Sequence, residues 1–244
     1  MENRNFQLDT EWNVIHYPER PQGFGILIIG DDRHFVDSNT SFWMQNEGKS
    51  LLLQTLLDAG YTVFYSNLYG KNWGSEKAVR LSKRLYQHVI RSEILNEKIH
   101  ILAEGMGALV TLKLIREMED CIRSVVLLNP ILSLNHQLEL EKDRKFFYKK
   151  MVKELSESFN QSGEQMINKI AEVDAPLNSI PIIPMKILQV LSDSRAYKQS
   201  QFLNELSLKW KENNVPISLC YMVPEKRTQM SFPILEFLKK YENI

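Results

Sequence analysis

The alternation of short apolar runs with longer amphipathic segments constrains the fold of this chain more than any other feature of its sequence. Residues 25–30 are almost wholly apolar, which is typical of a strand covered on both faces of a sheet. Residues 47–59 end at Gly60 and have one apolar stripe, as an amphipathic helix does: Leu51, Leu52, Leu56 and Leu57. Repeated along the chain, this alternation predicts an α/β fold with a mostly parallel sheet of about eight strands and helices on both faces.

The same criteria assign the other elements. Two strands near the N-terminus are expected to pair antiparallel at the edge of the sheet, at residues 6–8 and 12–17. The later strands are predicted at residues 61–65, 99–103, 124–128, 186–191 and 216–222. The later helices are predicted at residues 76–94, 108–118, 197–213 and 232–241.

One long segment interrupts the alternation in the second half of the chain. Residues 133–173 are charged and helical in pattern and contain no run typical of a strand. Three prolines then mark the return to the sheet, at positions 176, 181 and 184. We therefore predict a single domain over residues 1–244, with a helical cap inserted at about residues 133–180.

Composition narrows the class of protein and its partners. The chain has 244 residues, 43% of them hydrophobic, and its 30 basic and 30 acidic residues give no net charge. This balance does not favour a nucleic-acid partner, and we expect none. Cys121 and Cys220 lie far apart and form no metal-type spacing. The N-terminus lacks an apolar signal-peptide core, and no run of about 18 apolar residues occurs. We expect a cytoplasmic protein without a membrane span, a metal or a cofactor.

Two motifs occur at matching places in the order of elements. Residues 59–75 read AGYTVFYSNLYGKNWGS, in which Gly70 and Ser75 keep two positions of a D-x-x-G-x-G-x-S loop. Residues 103–107 read AEGMG, between a predicted strand and a predicted helix. With the order of elements, these motifs resemble the α/β-hydrolase superfamily, especially its small esterase and monoacylglycerol-lipase-like branch. The resemblance covers nearly the whole chain and implies a three-layer sandwich with a cap.

The resemblance lets the catalytic positions of the superfamily be checked one by one. The nucleophile position, at the centre of G-x-S-x-G, falls on Gly105, which has no side chain to form an acyl intermediate. The base is expected in the loop 223–231, which has no histidine, and all five histidines precede residue 137. Asp193 lies near the acid position and is the candidate remnant of the triad. The chain is thus interpreted as a degenerate member that lacks the catalytic serine and histidine.

This interpretation predicts a binding pocket where the nucleophile is missing. The pocket is expected at the carboxyl ends of the strands, lined by Gly30, Asp31, Glu104, Gly105, Met106 and Asn129. An apolar stripe on the cap helix, over residues 146–159, is expected to close its mouth. The first hypothesis is a pseudoenzyme that binds a small apolar or ester-like molecule, or a protein partner, without serine-type hydrolysis.

A second hypothesis places chemistry elsewhere. Four residues offer oxygen or imidazole donors near the same place: Asp31, Asp32, His34 and Glu104. They are an alternative site for a divergent hydrolase or esterase, with or without a metal ion similar to zinc or manganese. A solvated polar loop is favoured over metal binding for residues 31–34. Glu104 is favoured as a salt-bridging or mouth-lining carboxylate over a general base.

Overall fold

An eight-stranded sheet forms the centre of the fold. A computed structural model of the chain describes residues 2–174, 182–192 and 194–242. The strands of the described part are β1 (Glu2–Leu8), β2 (Glu11–Tyr17), β3 (Gly25–Ile29), β4 (Thr62–Ser66), β5 (Ile99–Glu104), β6 (Ile122–Leu128), β7 (Met185–Val190) and β8 (Ile217–Met222). Their order across the sheet is β1-β2-β4-β3-β5-β6-β7-β8.

The direction of the strands agrees with the sequence prediction. Strand β2 pairs antiparallel with both β1 and β4, whereas the pairs from β4–β3 to β7–β8 across the sheet are all parallel. All residues of β3, β4 and β5 are buried, because helices cover both faces of the sheet there. The predicted α/β class and the mostly parallel eight-stranded sheet are confirmed.

Helices cover the two faces of the sheet and form the cap. The helices of the described part are α1 (Phe42–Gln45), α2 (Glu47–Asp58), α3 (Glu76–Ser92), α4 (Gly107–Glu117), α5 (Leu134–Glu141), α6 (Lys145–Phe159), α7 (Gly163–Val173), α8 (Ser194–Glu212) and α9 (Ser231–Lys239). Helices α3, α4 and α8 share one apolar core with the sheet, and α2 and α9 share the other. Short 3-10 turns occur at Glu119–Cys121 and Pro224–Gln229. No described helix is both long enough and apolar enough to span a membrane.

The buried face of α2 agrees with the predicted stripe at three of its four residues. Leu52, Leu56 and Leu57 are buried, whereas Leu51 is 53% exposed. Lys49 and Leu53 complete the buried face at helical spacing. The sequence prediction did not include Lys49, because a lysine on an apolar face is buried only when it has a partner.

The cap segment consists of α5, α6 and α7, and it shares a small apolar core with Trp73, Met106 and Leu109. Met151 and Leu155 of α6 are buried there, as the predicted stripe requires. Phe146 is 74% exposed because it lies about 140° around the helix from Met151. Phe147 is partly exposed because it lines a cavity beneath the cap.

The two ends of the described cap are tied together by one carboxylate. Asp174, at the end of α7, accepts hydrogen bonds from the Ser133 hydroxyl at 2.7 Å and from the main-chain N–H of Leu134 at 2.6 Å. The Asn135 N–H also donates to it, at 3.1 Å. Asp174 therefore satisfies N–H groups of the first turn of α5, which have no partner within the helix. The predicted return of the cap over residues 175–180 lies outside the described residues.

Candidate functional site

A sharp turn connects β5 to α4 at the carboxyl ends of the strands. β5 ends at Glu104, Gly105 has a left-handed backbone with φ +54°, and α4 begins at Gly107. The Gly105 N–H donates to the Leu128 carbonyl at 3.0 Å, which fixes the turn against β6. A Cβ atom on Gly107 would lie 2.3 Å from the Ile29 carbonyl oxygen, so the helix starts in close contact with β3. This geometry is that of a strand–turn–helix elbow, with Gly105 at its apex.

The Asp31 carboxylate fills the space beside Gly105. A Cβ atom on Gly105 would lie 2.3 Å from the Asp31 carboxyl carbon and 2.4 and 2.5 Å from its two oxygens. The Oδ1 atom of Asp31 accepts a hydrogen bond from the Met106 N–H at 3.1 Å. This amide belongs to the start of α4, where unpaired N–H groups favour a negative charge. The Asp31 carboxylate, from the loop after β3, thus occupies the space that a side chain of residue 105 would need, and it binds the main-chain N–H of Met106.

Burial and neighbouring carboxylates set the protonation of Asp31. Burial raises the pKa of the Asp31 carboxyl above its usual range, and the negative charges of Glu104 and Asp32 raise it further. The Met106 N–H opposes this by stabilising the ionised form. The side-chain charges that act on the Asp31 pKa in the described structure are therefore both negative.

Glu104 belongs to a separate buried network on the other side of the same loop. Its Oε2 atom accepts from the Lys49 ammonium at 2.5 Å and lies 3.1 Å from the Nε2 atom of His34. The Trp43 indole N–H donates to the Nδ1 atom of His34 at 3.0 Å. Because an indole N–H only donates, the His34 proton is on Nε2 and points to Glu104.

The pKa of Glu104 follows from this network. Burial alone would raise the pKa of its carboxyl, but the His34 hydrogen bond and the Lys49 charge lower it more, to about 2. Glu104 is therefore ionised and paired in the folded protein, which is the role of a salt-bridged carboxylate. The partner Lys49 lies 55 residues earlier in the chain, and local sequence patterns gave no signal for this contact.

A cavity of about 460 Å³ lies under the cap. Of the six residues predicted to line the pocket, Asp31, Gly105, Met106 and Asn129 line this cavity. Its apolar wall comes from several elements, and two of these residues, Phe147 and Met151, belong to the predicted apolar stripe of the cap: Trp73, Ile131, Phe147, Met151 and Val190. The other two predicted residues, Gly30 and Glu104, are not among its lining residues in the described structure. Gly30 is covered by the His34 ring, which would lie 2.0 Å from a Cβ atom there.

A second cavity, of about 510 Å³, lies between the 31–34 loop and α2. The four residues of the predicted alternative site all line it: Asp31, Asp32, His34 and Glu104. They are not arranged as a metal site: among the described residues, no three His, Cys, Asp or Glu side chains are placed so that they could hold one metal ion. The His34 and Glu104 atoms that would bind a metal are already used by Trp43 and Lys49.

Comparisons with known proteins identify the fold. No protein-family profile and no curated protein sequence matches the chain. The structure of an S-formylglutathione hydrolase from Staphylococcus aureus superposes with a TM-score of 0.63 and 16% identity, over 97% of this chain and 98% of that one. Est1E from Butyrivibrio proteoclasticus superposes with a TM-score of 0.68 and 13% identity, over 98% of both chains. The chain has the α/β-hydrolase fold. The Francisella virulence factor BioJ is also similar, with a TM-score of 0.64 and 12% identity over 98% of this chain and 84% of that one.

Two of the three positions that the sequence analysis assigned to a triad lie in the described part of the chain. Gly105 occupies the apex of the elbow, as described above. The loop after β8 forms the 3-10 turn Pro224–Gln229, and its Arg227 lines both cavities. Asp193 lies outside the described residues, although its neighbour Ser192 lines the cavity under the cap. The loop that was searched for a catalytic histidine thus contributes an arginine, Arg227, to the lining of both cavities.

Proposed function

We propose that this α/β-hydrolase-fold protein binds a small molecule in the cavity under the cap and does not carry out serine-type hydrolysis. The observation that supports this is the position of Asp31. Its carboxylate lies within 2.5 Å of where a Cβ atom of residue 105 would be, and it also holds the Met106 amide. A serine-type reaction needs a nucleophile at the apex of the elbow and a free N–H group for the developing oxyanion. The Asp31 carboxylate occupies the space of the first and binds the N–H group that would serve as the second.

The large loss of turnover that is expected without a catalytic serine and histidine supports binding without hydrolysis. Removing the nucleophile or the base of a serine triad lowers turnover on the order of a millionfold. The residual rate of such variants, roughly a thousandfold above water, comes from the oxyanion hole and from substrate binding. Here the amide that follows the apex is already bound by a carboxylate, which would repel an oxyanion.

The alternative, a divergent hydrolase that uses Asp31, Asp32, His34 and Glu104, has less support. His34 donates to Glu104 and accepts from Trp43, so neither ring nitrogen is available as a base. Glu104 is ionised but bound by the Lys49 ammonium. The other two groups of this set, Asp31 and Asp32, lie outside that network, and the Asp31 carboxylate lies against Gly105 of the elbow.

An esterase assay with designed variants tests the proposal. Turnover of p-nitrophenyl acetate and butyrate is measured for the wild type, Gly105→Ser, and the triple variant Asp31→Ala/Gly105→Ser/Thr228→His. We expect no turnover by the wild type or by Gly105→Ser, because the serine meets the Asp31 carboxylate. The triple variant removes that carboxylate, frees the Met106 amide and adds a base, so it should react with a fluorophosphonate probe and gain slow turnover.

The matched control is Asp31→Ala/Gly105→Ala/Thr228→His, which differs by one hydroxyl and should stay unlabelled. Wild-type turnover above background that disappears in Asp31→Asn or Glu104→Gln would overturn the proposal and favour the divergent hydrolase. Circular dichroism of each variant shows whether it is folded before its activity is compared.

A further inference from the structure

We infer that the cavity under the cap recognises a small molecule with an ammonium group and an apolar body, and that the Asp31 carboxylate binds the ammonium. The inference rests on the proposed function, since it names the class of ligand for the same cavity. It differs from the simple expectation of an apolar or ester-like ligand, because the group at the elbow is a fixed negative charge.

The first argument is the lack of a cation beside Asp31. In the described residues, its side chain accepts a hydrogen bond from the Met106 amide, and no lysine, arginine or histidine forms an ion pair with it. A carboxylate has about four lone-pair sites, so the main-chain amides of Met106 and Asp32 leave about half of its capacity for a donor from a ligand. A largely buried charge without a counter-ion is unfavourable, and a bound cation would relieve this cost.

The other charges at the cavity are paired with each other or exposed. Glu154 accepts from the Trp73 indole at 3.1 Å and also binds the ammonium of Lys71, while Lys150 lies 3.9 Å from it. Glu141 lies 3.6 Å from Arg144. The remaining charged residues of the lining are Asp32, Arg33 and Arg227.

Arg33 and Arg227 are exposed to solvent, whereas Asp31 is partly buried and lies against Gly105 of the elbow. The charges that act on Asp31 are those of Glu104 and Asp32, and both are negative. An anionic ligand that reached the elbow would therefore lie beside carboxylates. A cationic one would lie beside Asp31 with its apolar part directed toward the cap.

The walls of the cavity fit the apolar part of such a ligand. Trp73 is buried and its indole N–H is held by Glu154, so its ring has a fixed place in the wall. Met106 and Met151 are buried, and Phe147 extends into the cavity from the cap. Aromatic rings and methionines form adaptable apolar surfaces. A volume of about 460 Å³ is in the range of sites for small organic molecules.

Binding of a matched ligand set tests the inference. Isothermal titration calorimetry is performed at pH 7.5 with phenylalkylamines of two to four methylene groups, with the corresponding alcohols and with the corresponding carboxylates. We expect the best amine to bind at least about tenfold more tightly than its alcohol, because a charge-assisted hydrogen bond is stronger than a neutral one. The carboxylates should bind most weakly.

Two variants assign the effect to one residue. Asp31→Asn keeps an oxygen for the Met106 amide but removes the charge, so amine binding should weaken at least about tenfold while alcohol binding stays the same. Glu117→Gln is the control, because it removes one carboxylate charge at the surface, outside the lining of the cavity, and it should change amine binding less than about twofold.

Three results would overturn the inference: equal binding of amines and alcohols, tighter binding of carboxylates, or no binding of any amine of the set at millimolar concentration. None of them involves ester turnover, so they are distinct from the failure of the proposed function, which the esterase assay measures. Equal binding of amines and alcohols would leave a ligand-binding cavity in place and remove only the role of charge.

Discussion

Replacement of Glu104 by glutamine tests the buried network that holds the 31–34 loop. Glutamine has the shape of the protonated carboxyl group, so Glu104→Gln removes the charge and keeps an oxygen for one donor. The folded protein holds the pKa of Glu104 at about 2, compared with 4.5 for the free side chain. Since one pKa unit corresponds to about 1.4 kcal/mol, the ionised form contributes about 3 kcal/mol to stability at pH 7.

The pH dependence of this contribution has a defined sign. The folded pKa is lowered, so the stabilisation is present above pH 4.5 and is lost as the pH falls toward 2. We expect Glu104→Gln to lower the free energy of unfolding by about 3 kcal/mol at pH 7 and by about 1.5 kcal/mol at pH 3. Urea unfolding at the two pH values, followed by circular dichroism and tryptophan fluorescence, measures both differences.

The control for this experiment is Glu117→Gln. Glu117 pairs with Lys83 at 2.8 Å on the surface, with 39% of its side chain exposed. Exposed pairs contribute little, so this variant should differ little from the wild type at either pH. A loss in Glu104→Gln that is the same at pH 7 and pH 3 would refute the argument, because it would show that the cost comes from packing and not from ionisation.

Three further changes test the elbow and the cap. Gly105→Ala should lower the free energy of unfolding by more than about 2 kcal/mol, because Gly105 has a left-handed backbone and a Cβ atom there would meet Asp31. In a double-mutant cycle measured by urea unfolding, Asp31→Ala should recover about 1–2 kcal/mol of that loss. Burial raises the pKa of Asp31 above the free value of 3.8, so ionisation of this carboxyl destabilises the folded protein as the pH rises above 3.8. Asp31→Asn should therefore raise the Tm at pH 7 and raise it less at pH 4. An unchanged Tm at pH 7 would count against an uncompensated charge at Asp31. Glu154→Gln weakens the contact of α6 with Trp73 and Lys71, so amide hydrogen exchange in α6 should accelerate by about tenfold or more, while exchange in β5 stays constant.

The fold was predictable from sequence because its signals are local and repeated. Buried parallel strands are apolar throughout, so residues 25–30 and 99–103 identified β3 and β5 within one residue at each end. The helical character of residues 133–173 was visible because their charged pattern interrupts the alternation, and helices α5 to α7 lie there, whereas the cap insertion at residues 133–180 stays a prediction. The stripe of α2 was wrong at Leu51 and omitted Lys49, because burial of Lys49 depends on a carboxylate far away in the sequence.

The site was predictable only in part. The place of the elbow followed from the AEGMG motif, and four of the six predicted pocket residues line the cavity under the cap. The contact of Asp31 with Gly105 was not foreseen, because it depends on the conformation of a loop 74 positions away from the glycine. A glycine at an apex is visible in a sequence, whereas the side chain that fills the empty space is not. Arg227 was missed for a related reason, since the search of its loop looked only for a histidine.

The tie at the base of the cap has a consequence for the history and the engineering of this chain. Because Asp174 holds the first turn of α5 at 2.6 to 3.1 Å, the cap starts and ends at nearly the same point in space. A segment whose ends meet in this way can be gained, exchanged or removed while the rest of the chain keeps its path. We therefore expect that a short linker can replace α5–α7 and leave β6 and β7 paired, while the cavity opens to solvent and the apolar side chains that α5–α7 cover become exposed.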